Sequence, residues 1–265
     1  MISILDGSGQ RRMLICPVCG SKEWTKRYRI DSWNIEECGA CGFAKIDPLP
    51  VGEERGKYYR EEKIVERNIK QKRPSQKFSR LLKRLFSAAT GREKGAIFYN
   101  KLRRHLSPKS KILDIGCGDG SFIRKAQENF VCTGIEISEY LASMARGRPG
   151  LKVITGNFLN TSFLNEEYDG ITLISILEHL DDPLEAIKKC FNLLKRRGVL
   201  LLKTVNYGCL NRRIKKMRWT GFRPPDHVIY FNPSNLKILL KNAGFKKIKI
   251  SAMPLNDNMY CEAFK

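Results

Sequence analysis

Residues 111–122 read KILDIGCGDGSF: an apolar run ending in Asp114 and Ile115, glycines at 116, 118 and 120, then the start of a helical pattern. A strand that turns into a helix through alternate glycines is how open α/β sheets build a ligand site. Glycine lets the backbone turn tightly and approach a ligand at the C-terminal edge of the sheet. The next apolar run, TGIEIS, carries Glu136 twenty residues beyond Gly116, suitably placed to accept hydrogen bonds from ribose hydroxyls. Together these residues describe an adenosine-type site. A nicotinamide dinucleotide is the alternative, but its GxGxxG spacing puts the third glycine one residue later. A carboxylate at Asp114 would also repel a pyrophosphate, whereas it would attract an ammonium or a sulfonium.

Outward from this loop, short apolar runs alternate with amphipathic helices, the pattern of βαβ units. Strands are expected near 111–115, 131–137, 151–155, 168–175, 198–205, 246–251 and 259–264, with helices near 120–129, 139–147, 183–196 and 233–242. No helical pattern separates the last two strands, so they should pair antiparallel at the sheet edge. The fold class is α/β: a doubly wound, seven-stranded, mostly parallel sheet with an antiparallel final strand pair, plus a small N-terminal ribbon whose two C-x2-C pairs, Cys16/Cys19 and Cys38/Cys41, suit zinc.

The ordered motifs LDIGCGDG, GIEIS, GNF at 156–158 and YDGITLISILEHLDDP at 168–183 resemble those of class I S-adenosylmethionine-dependent methyltransferases. The later segments GVLLLKTVNY and HVIYFNPSNLKILLKNAGF resemble the branch acting on small molecules, sugars, lipids and quinone precursors. The resemblance covers residues 111–265 and implies S-adenosylmethionine as cofactor. By it, Asp114, Gly116 and Gly118 would line the methionine moiety, Glu136 would hold the ribose, and Asn157 with Phe158 would sit against adenine. Cys117, Ile137 and Ser175 complete the expected cofactor contacts. Many relatives place an aspartate where this chain has Asn157; an amide oxygen can still accept from the adenine amino group.

Methyl transfer to a hydroxyl is helped by a positioned base, and two of the three histidines occupy informative places. These candidate catalytic residues are His179, after the fourth strand, and His227, in PPDHVIYF. Either can also be read as a buried, hydrogen-bonded core group. Trp219, Phe222, Tyr230 and Phe231 flank the second site and could wall a substrate pocket or fill the core.

Cys16, Cys19, Cys38 and Cys41 form two C-x2-C pairs separated by eighteen residues, the spacing of a tetrahedral thiolate zinc ribbon. Gly20 and Gly42 follow the second cysteine of each pair and suit the turn. An iron–sulfur site is the alternative occupant. Four thiolates leave no open coordination position, so a metal here should brace the fold rather than catalyse. The expected organisation is a zinc ribbon at 1–46, a linker at 47–74 rich in Pro, Gly and charge, and a methyltransferase domain at 75–265. That domain should begin with basic helices over 75–106.

The formal net charge is +22, and residues 70–104 alone carry twelve Lys or Arg against one acid, Glu93. Such a surface attracts polyanions. NRRIKKMRW at 211–219 adds a second basic segment. With no secretory signal or membrane-spanning apolar run recognised, the protein is expected to be cytoplasmic, with attachment to the inner membrane face left open. Two functions compete. One is O-methylation of a small, anionic or sugar- or lipid-linked acceptor, with an anionic membrane surface as partner. The other is RNA methylation, using the ribbon and the basic surface. A noncatalytic ribbon protein with a degenerate methyltransferase domain is a third reading, which the intact glycine loop and Glu136 oppose.

Overall fold

The computed structural model describes residues 3–5, 11–50 and 95–265. The basic amphipathic helix expected from Ser75 and most of the expected linker lie outside the described residues. Two compact units emerge, one comprising 1–55 with 162–265 and the other 56–161. No described helix is long and apolar enough to cross a membrane.

At the N-terminus, β1 (Ser3–Leu5) and β2 (Arg11–Met13) form an antiparallel pair. A small antiparallel sheet follows from β3 (Trp24–Ile30), β4 (Trp33–Cys38) and β5 (Ala44–Asp47). Each residue of β5 is buried, so the short AKID run buries an apolar pair and two charges, Lys45 and Asp47. Lys45, 1% exposed, is paired with Glu36 Oε2 at 2.8 Å and Asp47 Oδ1 at 3.1 Å. Pairing of this kind is what makes burying an ammonium tolerable.

Among the described residues, the unit that carries the glycine loop opens with α1 (Ala96–His105), whose Phe98, Tyr99 and Leu102 are buried on one face. Then come β6 (Lys111–Ile115), α2 (Ser121–Ala126), β7 (Val131–Glu136), α3 (Glu139–Arg146) and β8 (Lys152–Thr155). Strands β6, β7 and β8 pair in parallel. Ser138 caps α3 by accepting from Leu141 N, the role Ser fills at a helix start.

The other unit continues with β9 (Tyr168–Ile174), α4 (Pro183–Leu193) and β10 (Leu194–Val205). After it come α5 (Leu210–Lys215), β11 (Ile229–Tyr230), α6 (Pro233–Asn242), β12 (Lys247–Ala252) and β13 (Asn258–Phe264). Asp182 and Asn232 cap α4 and α6, each followed by proline in the first turn, as helix starts favour. Helix α4 stops at Leu193 rather than running to 196, because buried Leu194 already pairs with Tyr168 as a strand residue.

The strands form a seven-stranded mixed sheet in the order β12-β13-β10-β9-β6-β7-β8. The final two strands pair antiparallel, and β13 also runs antiparallel to β10. What the sequence did not reveal is that β11, from the far end of the chain, joins the ribbon sheet beside β5. A two-residue strand has too little periodicity to be read.

Candidate active site

The glycine loop sits at the end of β6. Gly116, Gly118 and Gly120 all have positive φ (71°, 56° and 74°), the region only glycine enters without strain. Gly116 N donates to Ile135 O at 2.8 Å and Gly120 N to Cys117 O at 3.0 Å, so the turn is tied to the adjoining strand. A Cβ on Gly118 would meet open space, whereas one on Gly120 would lie 2.7 Å from Leu151 Cδ1. Gly118 therefore faces open space, and Gly120 is a packing requirement.

Glu136, 6% exposed, is held at the end of β7 by two backbone donors. Gly118 N donates to its Oε2 and Ser138 N to its Oε1, each at 2.9 Å. A carboxylate offers about four lone-pair sites, so acceptor capacity remains for hydroxyls. Asp114 is buried one strand over. Burial pushes the Cys117 thiol well above its ordinary range, and the charges of Asp114 and Glu136 push it further. The loop thus lies in a negative field, which suits a sulfonium and opposes a pyrophosphate. The donor chemistry fits S-adenosylmethionine.

The other expected cofactor residues are arranged differently from one another. Ile137 is 44% exposed. Asn157 is exposed, and its amide oxygen accepts from Leu159 N at 2.9 Å within its own turn. Phe158 is 6% exposed and packs inward. Ser175 closes β9 with φ 59° and donates from its N to Lys203 O at 2.9 Å. A non-glycine residue in this conformation is uncommon and worth a functional look.

The two histidine rings meet edge to face, with centroids 4.9 Å apart. Their surroundings differ. His179 Nδ1 lies 2.6 Å from Asp226 O and 3.3 Å from Asp226 Oδ1. A carbonyl only accepts, so Nδ1 carries the proton and Nε2 presents its lone pair. Burial works against the charged form, but the hydrogen bond to Asp226 and the charges of Glu178 and Asp226 outweigh it and raise the pKa. His227 Nδ1 donates to Gly221 O at 2.8 Å, and its Nε2 accepts from Arg223 Nε at 3.1 Å. Burial first, then the Arg223 charge, hold it down to about 3. His227 is therefore a neutral imidazole with both nitrogens engaged.

Three residues here were not singled out from the sequence: Asp226, Arg223 and Glu178. Asp226 and Glu178 are chain neighbours of the histidines, which is the signal that could have found them. Glu178, 1% exposed, accepts from Thr204 Oγ1 at 2.8 Å, and its carbonyl accepts from Val228 N at 2.9 Å. Glu178, His179 and His227 come within 4.8 Å of one another, but the Arg223 guanidinium already occupies the His227 lone pair a cation would need. Trp219, Phe222, Tyr230 and Phe231 are all buried and stack on one another or on the ribbon, with Trp219–Phe222 at 5.1 Å and Phe43–Phe231 at 5.0 Å. They fill core.

Cys16, Cys19, Cys38 and Cys41 bring their sulfurs within 4.8 Å, with Cys16–Cys41 and Cys19–Cys38 both at 3.6 Å. Four thiolates around zinc at about 2.3 Å stand roughly 3.8 Å apart, so the cluster has ribbon geometry. Gly20 N and Gly42 N each donate to the first cysteine's carbonyl at 2.9 Å, with φ of 77° and 69°. The cluster is anchored on α6: Asn235 Nδ2 donates to Cys41 O at 3.3 Å and Asn242 Nδ2 to Val18 O at 2.8 Å. From β5, Ile46 N donates to Val228 O at 2.9 Å, one residue from His227.

Comparison with known proteins agrees with this geometry. Residues 43–250 match the family described as methyltransferase domain. A ubiquinone biosynthesis O-methyltransferase of Coxiella burnetii is 31% identical over 170 residues, 57% of this chain and 70% of that one. The corresponding protein of Histophilus somni is 35% identical over 109 residues, 37% of this chain and 46% of that one, so the chain spans under half of that relative. Among solved structures, an S-adenosylmethionine-dependent methyltransferase from Archaeoglobus fulgidus has a TM-score of 0.52 at 21% identity, covering 68% of this chain and 98% of that one. One from Mesorhizobium loti has a TM-score of 0.53 at 16% identity, covering 63% and 96%. The match over most of the chain shows that this chain belongs to the methyltransferase domain family and is an S-adenosylmethionine-dependent methyltransferase.

Proposed function

We propose that this enzyme methylates a hydroxyl of a small, anionic or sugar- or lipid-linked acceptor, with His179 as the base. The observation that carries the reading is the His179–Asp226 arrangement: a proton fixed on Nδ1, a raised pKa and an Nε2 lone pair with no protein partner among the described residues. The bound cofactor would supply an electrophilic methyl on a sulfonium. Asp114, Gly116, Gly118 and Glu136 would orient it, His179 Nε2 would take the acceptor proton, and Asp226 would stabilise the resulting imidazolium. His227 supports the ring of His179 and does not itself accept. The O-methyltransferase names of the relatives agree with this reading. Zinc at the four cysteines would brace β5 and, through it, the segment holding Asp226.

The test is transfer of labelled methyl from S-adenosylmethionine to a panel of phenolic, sugar-nucleotide and bulk RNA acceptors. His179→Asn should remove O-methylation while leaving S-adenosylhomocysteine affinity within about twofold. Label in RNA alone, which the charge of +22 makes the second reading, would overturn the small-molecule assignment. Full activity of His179→Asn would overturn the role of the histidine.

A further inference from the structure

Five of the thirteen exposed large apolar side chains among the described residues fall in two short segments: Leu210 (42% exposed), Ile214 (67%) and Met217 (56%), and Met253 (70%) and Leu255 (67%). The segments lie against each other. Leu210 N donates to Pro254 O at 2.7 Å, and Asn211 Nδ2 donates to Leu255 O at 2.8 Å. Beneath them Asp257 accepts from Trp219 Nε1 at 2.8 Å and from Asn211 Nδ2 at 3.1 Å. The apolar residues are thus held outward on a braced platform. An exposed cluster of this kind on a folded protein marks an interaction surface.

Its rim is cationic. Arg213, Lys215, Lys216 and Arg218 are exposed between and beside Ile214 and Met217, and 210–218 contains no acid. Arg212 turns inward instead, its guanidinium 4.0 Å from the centre of the Tyr207 ring. Asp257, the nearby carboxylate, is committed to the platform.

We propose that α5 and the 253–255 turn form a docking surface for an anionic membrane, the aliphatic side chains entering the headgroup boundary and the four cations meeting lipid charge. RNA fits the cations but not the rest, because RNA surfaces use exposed aromatic rings for stacking. Here Trp219, Phe222 and Tyr207 are all buried, and the exposed residues are Leu, Ile and Met. The proposal does not depend on which acceptor is methylated.

Vesicle co-sedimentation of the full chain tests it, comparing phosphatidylcholine alone with phosphatidylcholine containing phosphatidylglycerol. Binding is expected to the anionic vesicles only. The double variant Ile214→Asn with Leu255→Asn leaves every charge in place and should weaken that binding about tenfold or more. Its S-adenosylhomocysteine affinity should be unchanged, which certifies the fold. Undiminished binding of the double variant would overturn the proposal, because charge elsewhere, such as the basic run at 70–104, would then suffice. Failure to bind either vesicle, with or without salt-sensitive binding to bulk RNA, would overturn it as well.

Discussion

His179 donates from Nδ1 to the main-chain oxygen of Asp226 at 2.6 Å, while the Asp226 carboxylate stands 3.3 Å from the same nitrogen. One residue therefore fixes the tautomer and, together with the Glu178 charge, the charge preference of the imidazole. Because the pKa is raised, the neutral base appears only above the ordinary imidazole value of about 6.5. The acid limb of kcat/KM should lie above that value. Asp226→Asn keeps the main-chain acceptor but removes the charge, so the limb should move to lower pH; a pH–rate profile of both forms checks this. In stability terms the raised pKa favours folding fully below about pH 6.5 and ceases to do so as pH rises through the folded value.

His227 has the opposite sign. Its pKa is held at about 3, by burial first and then by Arg223, so it opposes folding as pH falls from about 6.5 towards 3. Arg223→Gln removes the repelling charge and should raise the His227 pKa, which titration of its ring resonances by NMR would read. His179 should keep its raised value in that variant, since its own partners are Asp226 and Glu178.

Much of this was legible in the sequence because local chemistry set it. The loop glycines need positive φ, Glu136 ends a strand, and four cysteines have a spacing with few other uses. Helix α6 was readable to the residue because Asn232, Pro233 and Gly244 punctuate it. The joining of β11 to the ribbon was not legible, since it depends on a long-range pairing of Ile229 with Lys45 that no periodicity records. The split between the histidines was hidden for the same reason. It turns on Arg223 and Asp226, whose roles come from side-chain direction rather than spacing.

The pairing of Ile229 with Lys45 would make a metal held by the four cysteines consequential for the segment that carries the histidines. Chelation together with a thiol reagent, or Cys19→Ala, should release the ribbon fold. Hydrogen exchange should then rise at 44–46 and also at 229–230, where β5 and β11 pair. The turnover number should fall. S-adenosylhomocysteine affinity should change by less than about threefold, because Asp114, the glycines and Glu136 belong to the other compact unit.

Glu136→Gln tests the cofactor grip. The carboxylate accepts from Gly118 N and Ser138 N. A glutamine offers one oxygen, so its amino group is set against one of these donors. Losing a charge-assisted hydrogen bond of this kind costs about 1.5–3 kcal/mol. S-adenosylhomocysteine binding, measured by calorimetry, should weaken by roughly tenfold to a hundredfold.

Gly134, the residue of β7 paired with Asp114, separates packing from binding. A Cβ there would lie 2.4 Å from Ile123 Cδ1 and 2.7 Å from Cys117 Sγ. Both neighbours are buried, and the first belongs to α2, so each side chain would have to shift within packed surroundings. Gly134→Ala should cost about 1–3 kcal/mol of stability through overpacking, read as a lower urea midpoint at an unchanged slope. Adding Ile123→Val removes the closer of the two clashing atoms, the Cδ1 methyl, and should restore part of that loss. If the double variant were no more stable than Gly134→Ala alone, the crowding at Cys117 would be the dominant clash, and cofactor affinity should then fall with stability in both.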